Sequence, residues 1–294
     1  KDKPLRVGAG WDGSAVTKRA MMSMKRLVNL ERNSVLCGLH IEDAKKQEGN
    51  PVMKPDFLSR QFEREAYNPL GRVGGKNLHW YVKEKSEEHS TYADLAALAL
   101  EQKIDILVVG NIGHTQSKPA AGEEKDLGHV AETVWRLCKT HVCVVKSSSY
   151  AIDLKRPATW LISVDGGHAS MMAFCTVLLR ILWAEDEVIV HYYGSSDEIC
   201  CEEKTVMLED YRDAMKQRKI NGRVEGIVVE NGGIASGILE QCSKVQADFL
   251  VLGLAGFTHE KLGSVSKDVL GAARCSVLAI KDQLDDRSNS GNGG

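Results

Sequence analysis

The sequence lacks several features that would assign it directly to a class of proteins. Its eight cysteines include no C-x-x-C pair, so neither a zinc site nor a thioredoxin-type motif is indicated. Cys175 is among those at apolar positions, where we expect a reduced cysteine to pack as a small hydrophobe, whereas Cys200-Cys201 lies in a polar stretch. No stretch reaches the ~18 consecutive apolar residues that a bilayer-spanning helix needs. No signal peptide is visible either, so we expect a cytoplasmic protein without membrane contact. The formal net charge of −2 is not the basic footprint of a nucleic-acid-binding protein, so we expect no nucleic acid partner.

The usual catalytic signatures are also missing. The sequence has no G-x-x-x-x-G-K-[ST] phosphate loop, and neither a Ser/His/Asp set nor a His-Glu metal cluster stands out. We therefore assign no catalytic residue and no metal ligand, and expect no enzymatic activity beyond weak ATP hydrolysis at most. The composition, with 43% hydrophobic and 27% charged residues, is that of a globular protein. A chain of 294 residues is long enough for two domains, each with its own core.

A strand, a Gly-rich loop, a helix and a second strand are predicted near the C-terminal end. The apolar run at 249–252 stops at Gly253, which is typical of a buried strand. Gly256 and Gly263 follow, and Ser264 is expected to be the N-cap of a helix that leads into the last strand. The two strands of such a crossover are parallel, so the loop lies at the carboxyl edge of the sheet. There it can form a tight turn only, or bring its backbone amides close to an anionic ligand.

The same pattern occurs twice, which indicates two similar domains. We predict domains at 1–150 and 151–284 and a disordered tail at 285–294. The stretch at 42–75, with three prolines around a polar helical patch at 57–67, breaks the symmetry as a long excursion. It is either a lid over the ligand crevice or a mobile surface loop. The matched residues of the two halves are Asp12 and Asp165, His40 and His191, Gly110 and Gly253, Gly113 and Gly256, and Gly128 and Gly263.

Three of these repeated features resemble the universal stress protein family, in a tandem form with two family domains in one chain. They are a first strand ending in Asp-Gly, a second strand ending in Leu-His or Val-His, and G-x2-G followed by a spacer, a glycine and a helix. The resemblance implies an α/β fold. It consists of two open-twisted five-stranded parallel-sheet sandwiches of the adenine nucleotide alpha hydrolase-like type, paired through their last strands as an internal pseudo-dimer.

The resemblance also implies a binding site for ATP, with magnesium, or for another adenine nucleotide in the second domain. Asp165 would lie near the adenine and ribose, the backbone of Tyr192 would meet the adenine, and Gly253 and Gly256 would approach the phosphates. The residues implied at the start of the last helix are Gly263, Ser264, Val265 and Ser266. From the residues alone, Asp165 is equally well explained as a turn residue that caps the following helix.

Both halves depart from the family pattern in the length of the spacer. Nucleotide-binding members have nine residues between G-x2-G and the next glycine, whereas the second half has six, at 257–262, and the first half has fourteen, at 114–127. The shorter spacer cannot lead a triphosphate along the same path. In the first half, His129 replaces the hydroxyl residue at the helix start, so we expect a degenerate site. The corresponding residues there are Asp12, Ile41, Gly110, Gly113, Gly128, His129 and Val130.

The resemblance implies a stress-response regulatory protein that couples a nucleotide to a protein partner. The altered spacers favour an alternative, an interaction scaffold of the same fold that binds no nucleotide. A nucleotide phosphohydrolase is the third hypothesis. A further homo-oligomer is compatible with each of them.

Overall fold

Strands and helices alternate along both halves of the chain in the computed structural model. It describes residues 3–29, 34–48, 50–67, 77–111, 129–146, 152–230, 233–254 and 263–282. The chain divides into two compact units, Lys1–Leu154 and Lys155–Gly294. Short apolar runs form the strands because both faces of each sheet are covered by helices.

Unit 1 contains a five-stranded parallel sheet in the order β3-β2-β1-β4-β5. Its strands are β1 (Arg6–Gly10), β2 (Val35–Glu42), β3 (Leu78–Glu84), β4 (Ile106–Gly110) and β5 (His141–Val145). Its helices are α1 (Ala15–Leu27), α2 (Ala44–Gln47), α3 (Pro55–Ala66), α4 (Thr91–Glu101) and α5 (His129–Leu137), with a 3₁₀ turn at Pro51–Met53. The chain changes direction across the sheet between β1 and β4, which is where ligands bind in open α/β sheets.

Unit 2 repeats this order as β8-β7-β6-β9-β10, again with all strands parallel. Its strands are β6 (Thr159–Val164), β7 (Glu187–Gly194), β8 (Asn221–Val228), β9 (Phe249–Leu254) and β10 (Ser276–Lys281). Its helices are α6 (His168–Thr176), α7 (Ser196–Cys200), α8 (Glu202–Gln217), α9 (Gly233–Lys244) and α10 (Ser264–Ala272), with a π-helical turn at Val177–Ile181. The predicted α/β fold with parallel sheets is confirmed, and pairing through the last strands stays a prediction.

The helical patch predicted at 57–67 within the stretch 42–75 is confirmed as helix α3, which begins at Pro55 and ends at Ala66. Helix α3 buries Leu58, Phe62 and Ala66, which repeat every four residues and therefore share one face. This helix connects β2 to β3, as α8 connects β7 to β8. It is the ordinary crossover helix of the fold. A packed helix is not a mobile loop, whereas the lid alternative stays a prediction. Residues 49 and 68–76 lie outside the described part.

One cysteine departs from its predicted environment. We expected Cys175 to pack as a small apolar residue, but it is exposed on α6. The buried residues of this helix are Ala169, Ser170, Ala173 and Phe174, which define a face that excludes Cys175. Cys200 and Cys201 are exposed at the junction of α7 and α8, as their polar surroundings predicted.

Candidate functional site

The end of β6 is shaped by the carboxylate of Asp165. Its Oδ1 accepts a hydrogen bond from the Gly167 amide at 2.8 Å and another from Ser170 Oγ at 2.7 Å. Between them Gly166 has a φ of +85°, a conformation that glycine adopts without strain. Asp165 therefore orders the turn into α6, as the capping interpretation predicted. Its side chain is nevertheless exposed, so a ligand can still reach it.

Asp12 builds the equivalent turn at the end of β1. Its Oδ1 accepts from the Ser14 amide at 2.9 Å and from Thr17 Oγ1 at 3.0 Å, and Gly13 has a φ of +73°. The repeated Asp-Gly pair is thus a local device in which the carboxylate holds the turn and the glycine supplies its left-handed backbone.

Three of the predicted site residues of unit 2 come together at the carboxyl edge of its sheet. Tyr192 pairs with Val164, the residue before Asp165, so β6 and β7 end side by side. On the other side of β6, Leu252 pairs with Ser163, which places Gly253 one step further along at the same level. Asp165, Tyr192 and Gly253 therefore lie at the ends of three neighbouring strands, and their positions along the strands differ by about one residue.

Gly253 has a packing role that the sequence did not reveal. A Cβ at this position would lie 2.3 Å from the carbonyl carbon of Ala169 and 2.4 Å from the amide nitrogen of Ser170. The first turn of α6 therefore lies directly against β9, and only glycine leaves enough room for this contact. Its predicted approach to phosphate stays a prediction.

No side chain among the described residues caps the start of α10. Gly263, rather than the predicted Ser264, is the N-cap, and no side chain among the described residues accepts from the first amides. Ser264 is already helical, so its hydroxyl cannot cap from the preceding position. No described atom lies within 4 Å of the place where a Cβ of Gly263 would be. Ser264, Val265 and Ser266 form the first turn, whereas Gly256 lies outside the described residues.

Three charged side chains near this edge were missed from the sequence. The Nζ of Lys204, on α8, lies 5.3 Å from the centroid of the Tyr192 ring and 3.4 Å from the position of a Gly166 Cβ. His168 Nδ1 lies 2.7 Å from Asp282 Oδ2, and the Asp282 amide donates to the carbonyl of Leu254 at the end of β9. The edge therefore carries one lysine and a histidine–aspartate pair. Of these, only His168, three residues after Asp165, could have been found from the turn motif.

In unit 1, helix α3 covers the equivalent turn. A Cβ at Gly13 would lie 2.6 Å from Gln61 Oε1 and 2.8 Å from Leu58 Cδ2. Trp11 is buried against Phe62 with ring centroids 5.5 Å apart. Since aromatic and aliphatic side chains fill the space beside Asp12, this turn is less accessible than its counterpart in unit 2.

The remaining predicted residues of unit 1 are backbone positions around this turn. Ile41 and Gly110 are buried in β2 and β4. His129 and Val130 are the first two residues of α5. Gly113 and Gly128 lie outside the described part of the chain.

The repeated histidines of the second strands are buried. His191 is 0% exposed, with Nε2 3.1 Å from Glu225 Oε2 and Nδ1 3.2 Å from the Tyr193 hydroxyl. Burial lowers the pKa of His191. His40 Nδ1 lies 2.9 Å from the carbonyl of Trp11, and burial lowers the pKa of His40 as well. Neutral, packed side chains of this kind support the sheet rather than meet a ligand.

No three His, Cys, Asp or Glu side chains within the described ranges group as a candidate metal site. In the same part of the chain, no helix is both long enough and apolar enough to cross a membrane.

Part of unit 2 resembles a known protein family in sequence. Residues 192–281, from the last residues of β7 to the end of β10, match the model of the universal stress protein family. The predicted resemblance is therefore confirmed for these residues. No curated protein sequence matches the chain.

Solved structures extend the likeness in fold to almost the whole chain. A universal stress protein from Archaeoglobus fulgidus has a TM-score of 0.62 at 14% identity, over 95% of this chain and 97% of that one. A functionally unknown protein from Pseudomonas aeruginosa has a TM-score of 0.59 at 14% identity, over 95% and 93%. A universal stress protein family protein from Arabidopsis thaliana, solved with AMP bound, covers 44% of this chain and 95% of its own, with 19% identity and a TM-score of 0.37.

Proposed function

We propose that unit 2 binds an adenine nucleotide at the carboxyl edge of its sheet and acts as a ligand-responsive regulator of a stress response. The observation that carries the proposal is the start of α10, which no described side chain caps, in a domain whose β6 is followed by the exposed Asp165. The first amides of α10 have no side-chain acceptor among the described residues, so they attract an anion. The family match at 192–281 includes β9, α10 and β10 but begins after β6 and Asp165.

Charged side chains at this edge could contact the ribose and the phosphates of a nucleotide. Asp165 keeps a free carboxylate oxygen, since its described bonds all use Oδ1, and that oxygen can accept from a ribose hydroxyl. Lys204 lies over the Tyr192 ring, where its ammonium group adds positive potential beside the turn. The carboxylate of Asp282 follows β10 and opposes a long polyphosphate unless a cation is present. This balance favours a monophosphate over a triphosphate, in agreement with the shortened spacer.

Unit 1 is assigned a different role in this proposal. Leu58 and Gln61 of α3 lie against its Asp-Gly turn, so this unit is a structural or partner-binding module rather than a second nucleotide site. The same observation supports the alternative in which the whole chain is a scaffold. Regulation without catalysis also remains part of the proposal, because no catalytic group is assigned at either turn.

Isothermal titration of the full chain with AMP and with ATP tests the proposal. The wild type should release heat with both nucleotides and bind AMP at least as tightly as ATP. Gly263→Val should abolish binding, because the added side chain enters the open space at the helix start while its φ of −58° suits any residue. Asp165→Asn keeps the oxygen that orders the turn and loses the charge, so it should weaken binding without unfolding the turn.

Asp12→Asn is the matched control in unit 1 and should leave the titration unchanged. No heat with either nucleotide would leave the scaffold alternative. Turnover of ATP with Mg²⁺, abolished by Gly263→Val, would instead support the phosphohydrolase.

A further inference from the structure

Cys242 and Cys275 of unit 2 are in contact at the amino edge of the sheet, which is opposite to the edge that carries the candidate ligand site. Cys242 lies in the last turns of α9, and Cys275 directly precedes β10. Each is 6% exposed, and their Sγ atoms are 3.1 Å apart. Because α9 ends and β10 begins at the amino edge of the parallel sheet, this thiol pair is separate from the Asp165 turn.

We propose that Cys242 and Cys275 are an oxidisable dithiol that forms an intramolecular disulfide when a hydroperoxide reacts with the protein. The Sγ atoms are only about 1 Å further apart than in a disulfide bond of roughly 2.05 Å. Small side-chain rotations can close this gap without moving the helix or the strand. The pair is therefore a modification site built into the packing of α9 against the start of β10.

The backbone around both thiols is fixed by regular structure. The carbonyl of Cys242 accepts from the Ala247 amide at 3.0 Å, which closes the end of α9. Ser276, next to Cys275, donates its amide to the carbonyl of Asp248 at 3.2 Å at the start of the β9–β10 pair. The contact is thus set by the positions of the two elements rather than by a flexible loop.

Unit 1 carries no second thiol at the equivalent place. The carbonyl of Ala99 accepts from Ile104 at 2.9 Å, in the same way as Cys242 accepts from Ala247. Thr140 precedes β5 as Cys275 precedes β10, and its Oγ1 lies 2.8 Å from Cys138 Sγ. The two halves share the backbone arrangement, but only unit 2 places two sulfur atoms together there. Cys138 therefore provides an internal control: a buried thiol beside a hydroxyl.

The contact also favours one thiol as the reacting group. The hydrogen bond from the Cys275 thiol lowers the pKa of Cys242, and the same bond raises the pKa of Cys275. The Cys242 thiolate attacks one oxygen of the hydroperoxide, the O–O bond breaks, and the leaving oxygen takes a proton to give water or an alcohol. Cys275 then attacks the sulfur of the sulfenic acid and loses its proton, and the S–OH bond breaks to release water. Two thiols are oxidised by two electrons and one peroxide is reduced.

Other buried thiols lack this activation. Burial raises the pKa of Cys37 to about 11, so its thiolate is scarce at neutral pH. Burial raises the pKa of Cys143 as well. The exposed cysteines react for a different reason, simple access, and they have to be removed from the test.

The test uses the full chain with Cys175, Cys200 and Cys201 replaced by serine. Hydrogen peroxide treatment, alkylation and peptide mass spectrometry should show loss of both alkylatable thiols at Cys242 and Cys275 and one crosslinked peptide containing them. Dithiothreitol should restore both thiols. Cys138 should remain alkylatable throughout.

The crosslinked peptide should also appear in the peroxide-treated wild-type chain, which removes any dependence on the folding of the variant. Adding Cys242→Ser should leave Cys275 alkylatable after the same treatment. The proposal is overturned if both thiols stay alkylatable at a dose that oxidises the exposed cysteines. It is equally overturned if Cys242 proceeds to sulfinic acid without a crosslink. Neither result bears on nucleotide binding, so the two proposals are tested independently.

Discussion

Gly253→Ala tests whether the close approach of α6 to β9 fixes the shape of the candidate site. The new methyl group would lie 2.3–2.4 Å from backbone atoms of Ala169 and Ser170, and a backbone cannot rotate aside as a side chain does. Overpacking of this kind costs about 1–3 kcal/mol, and contact with backbone places the cost near the upper end. Replacing glycine by alanine also reduces the conformational entropy of the unfolded chain, which stabilises the folded protein by about 0.4–1 kcal/mol. We therefore expect a net loss of roughly 2 kcal/mol.

Gly263→Ala is the matched control for this change. No described atom lies within 4 Å of its Cβ position, and its φ of −58° is allowed for any residue. Alanine lowers the conformational entropy of the unfolded chain, which stabilises the protein, but it is a poorer N-cap residue than glycine, which destabilises it. The two effects should nearly cancel, so the free energy of unfolding should change by no more than about 0.5 kcal/mol.

Hydrogen exchange during urea unfolding measures the stability of unit 2 in both variants. Because the chain has two units, peptides of unit 1 serve as the internal reference. For Gly253→Ala, faster exchange should be confined to unit 2 and centred on α6 and β9. If Gly253→Ala and Gly263→Ala are equally stable, the close approach of α6 to β9 is not what fixes this edge.

Three further predictions concern the core, the buried histidines and the dithiol. Phe62→Ala should destabilise unit 1 by about 3–5 kcal/mol in urea unfolding, because the ring is fully buried between Trp11 and Trp80; a small effect would restore the mobile-loop interpretation. Burial lowers the pKa of His191 in the folded state, so the unfolded chain takes up its proton first and the free energy of unfolding should fall as the pH drops below about 6.5. His191→Gln should reduce that slope, and an unchanged slope would exclude His191 as a cause. The disulfide between Cys242 and Cys275 would close a loop of roughly 30 residues and should stabilise the oxidised protein by about 3–4 kcal/mol, seen as a higher Tm that dithiothreitol reverses; an unchanged Tm would contradict this.

The repeated Asp-Gly pair shows what the sequence could predict about the site. Aspartate and glycine at a strand end specify a local turn, and both copies form it with the carboxylate accepting from the following residues. Local hydrogen bonds of this kind depend on few other residues, so they can be read directly. The parallel sheets also followed from the alternation of strands and helices and from the family resemblance.

The role of Gly253 shows where such prediction stops. A glycine at a strand end suits a ligand and suits a helix packed closely against the strand, because both require the absence of a Cβ. The sequence cannot distinguish them, and the structure places α6 there. Lys204 was missed for a related reason, since the residue of α8 that reaches the Asp165 turn depends on how that helix is rotated against the sheet.

The N-cap of α10 illustrates an error of one residue with a consequence for function. Ser264 was predicted to satisfy the first amides with its own hydroxyl, but it lies inside the helix and Gly263 takes the cap position. No described side chain accepts from the amides of the first turn, so these amides can donate hydrogen bonds to an anion. The preference of serine for the cap position therefore did not determine where this helix begins.

Photolabelling with an azido-adenine derivative of AMP tests the central claim most directly, because it shows where the base lies. The full chain is labelled, digested and analysed by mass spectrometry, with excess AMP as competitor. We predict competable labelling of unit 2 peptides that contain the end of β7 near Tyr192 or the turn at Asp165, and its loss in Gly263→Val. Labelling confined to unit 1, or labelling that AMP does not compete, would contradict nucleotide binding by the second domain.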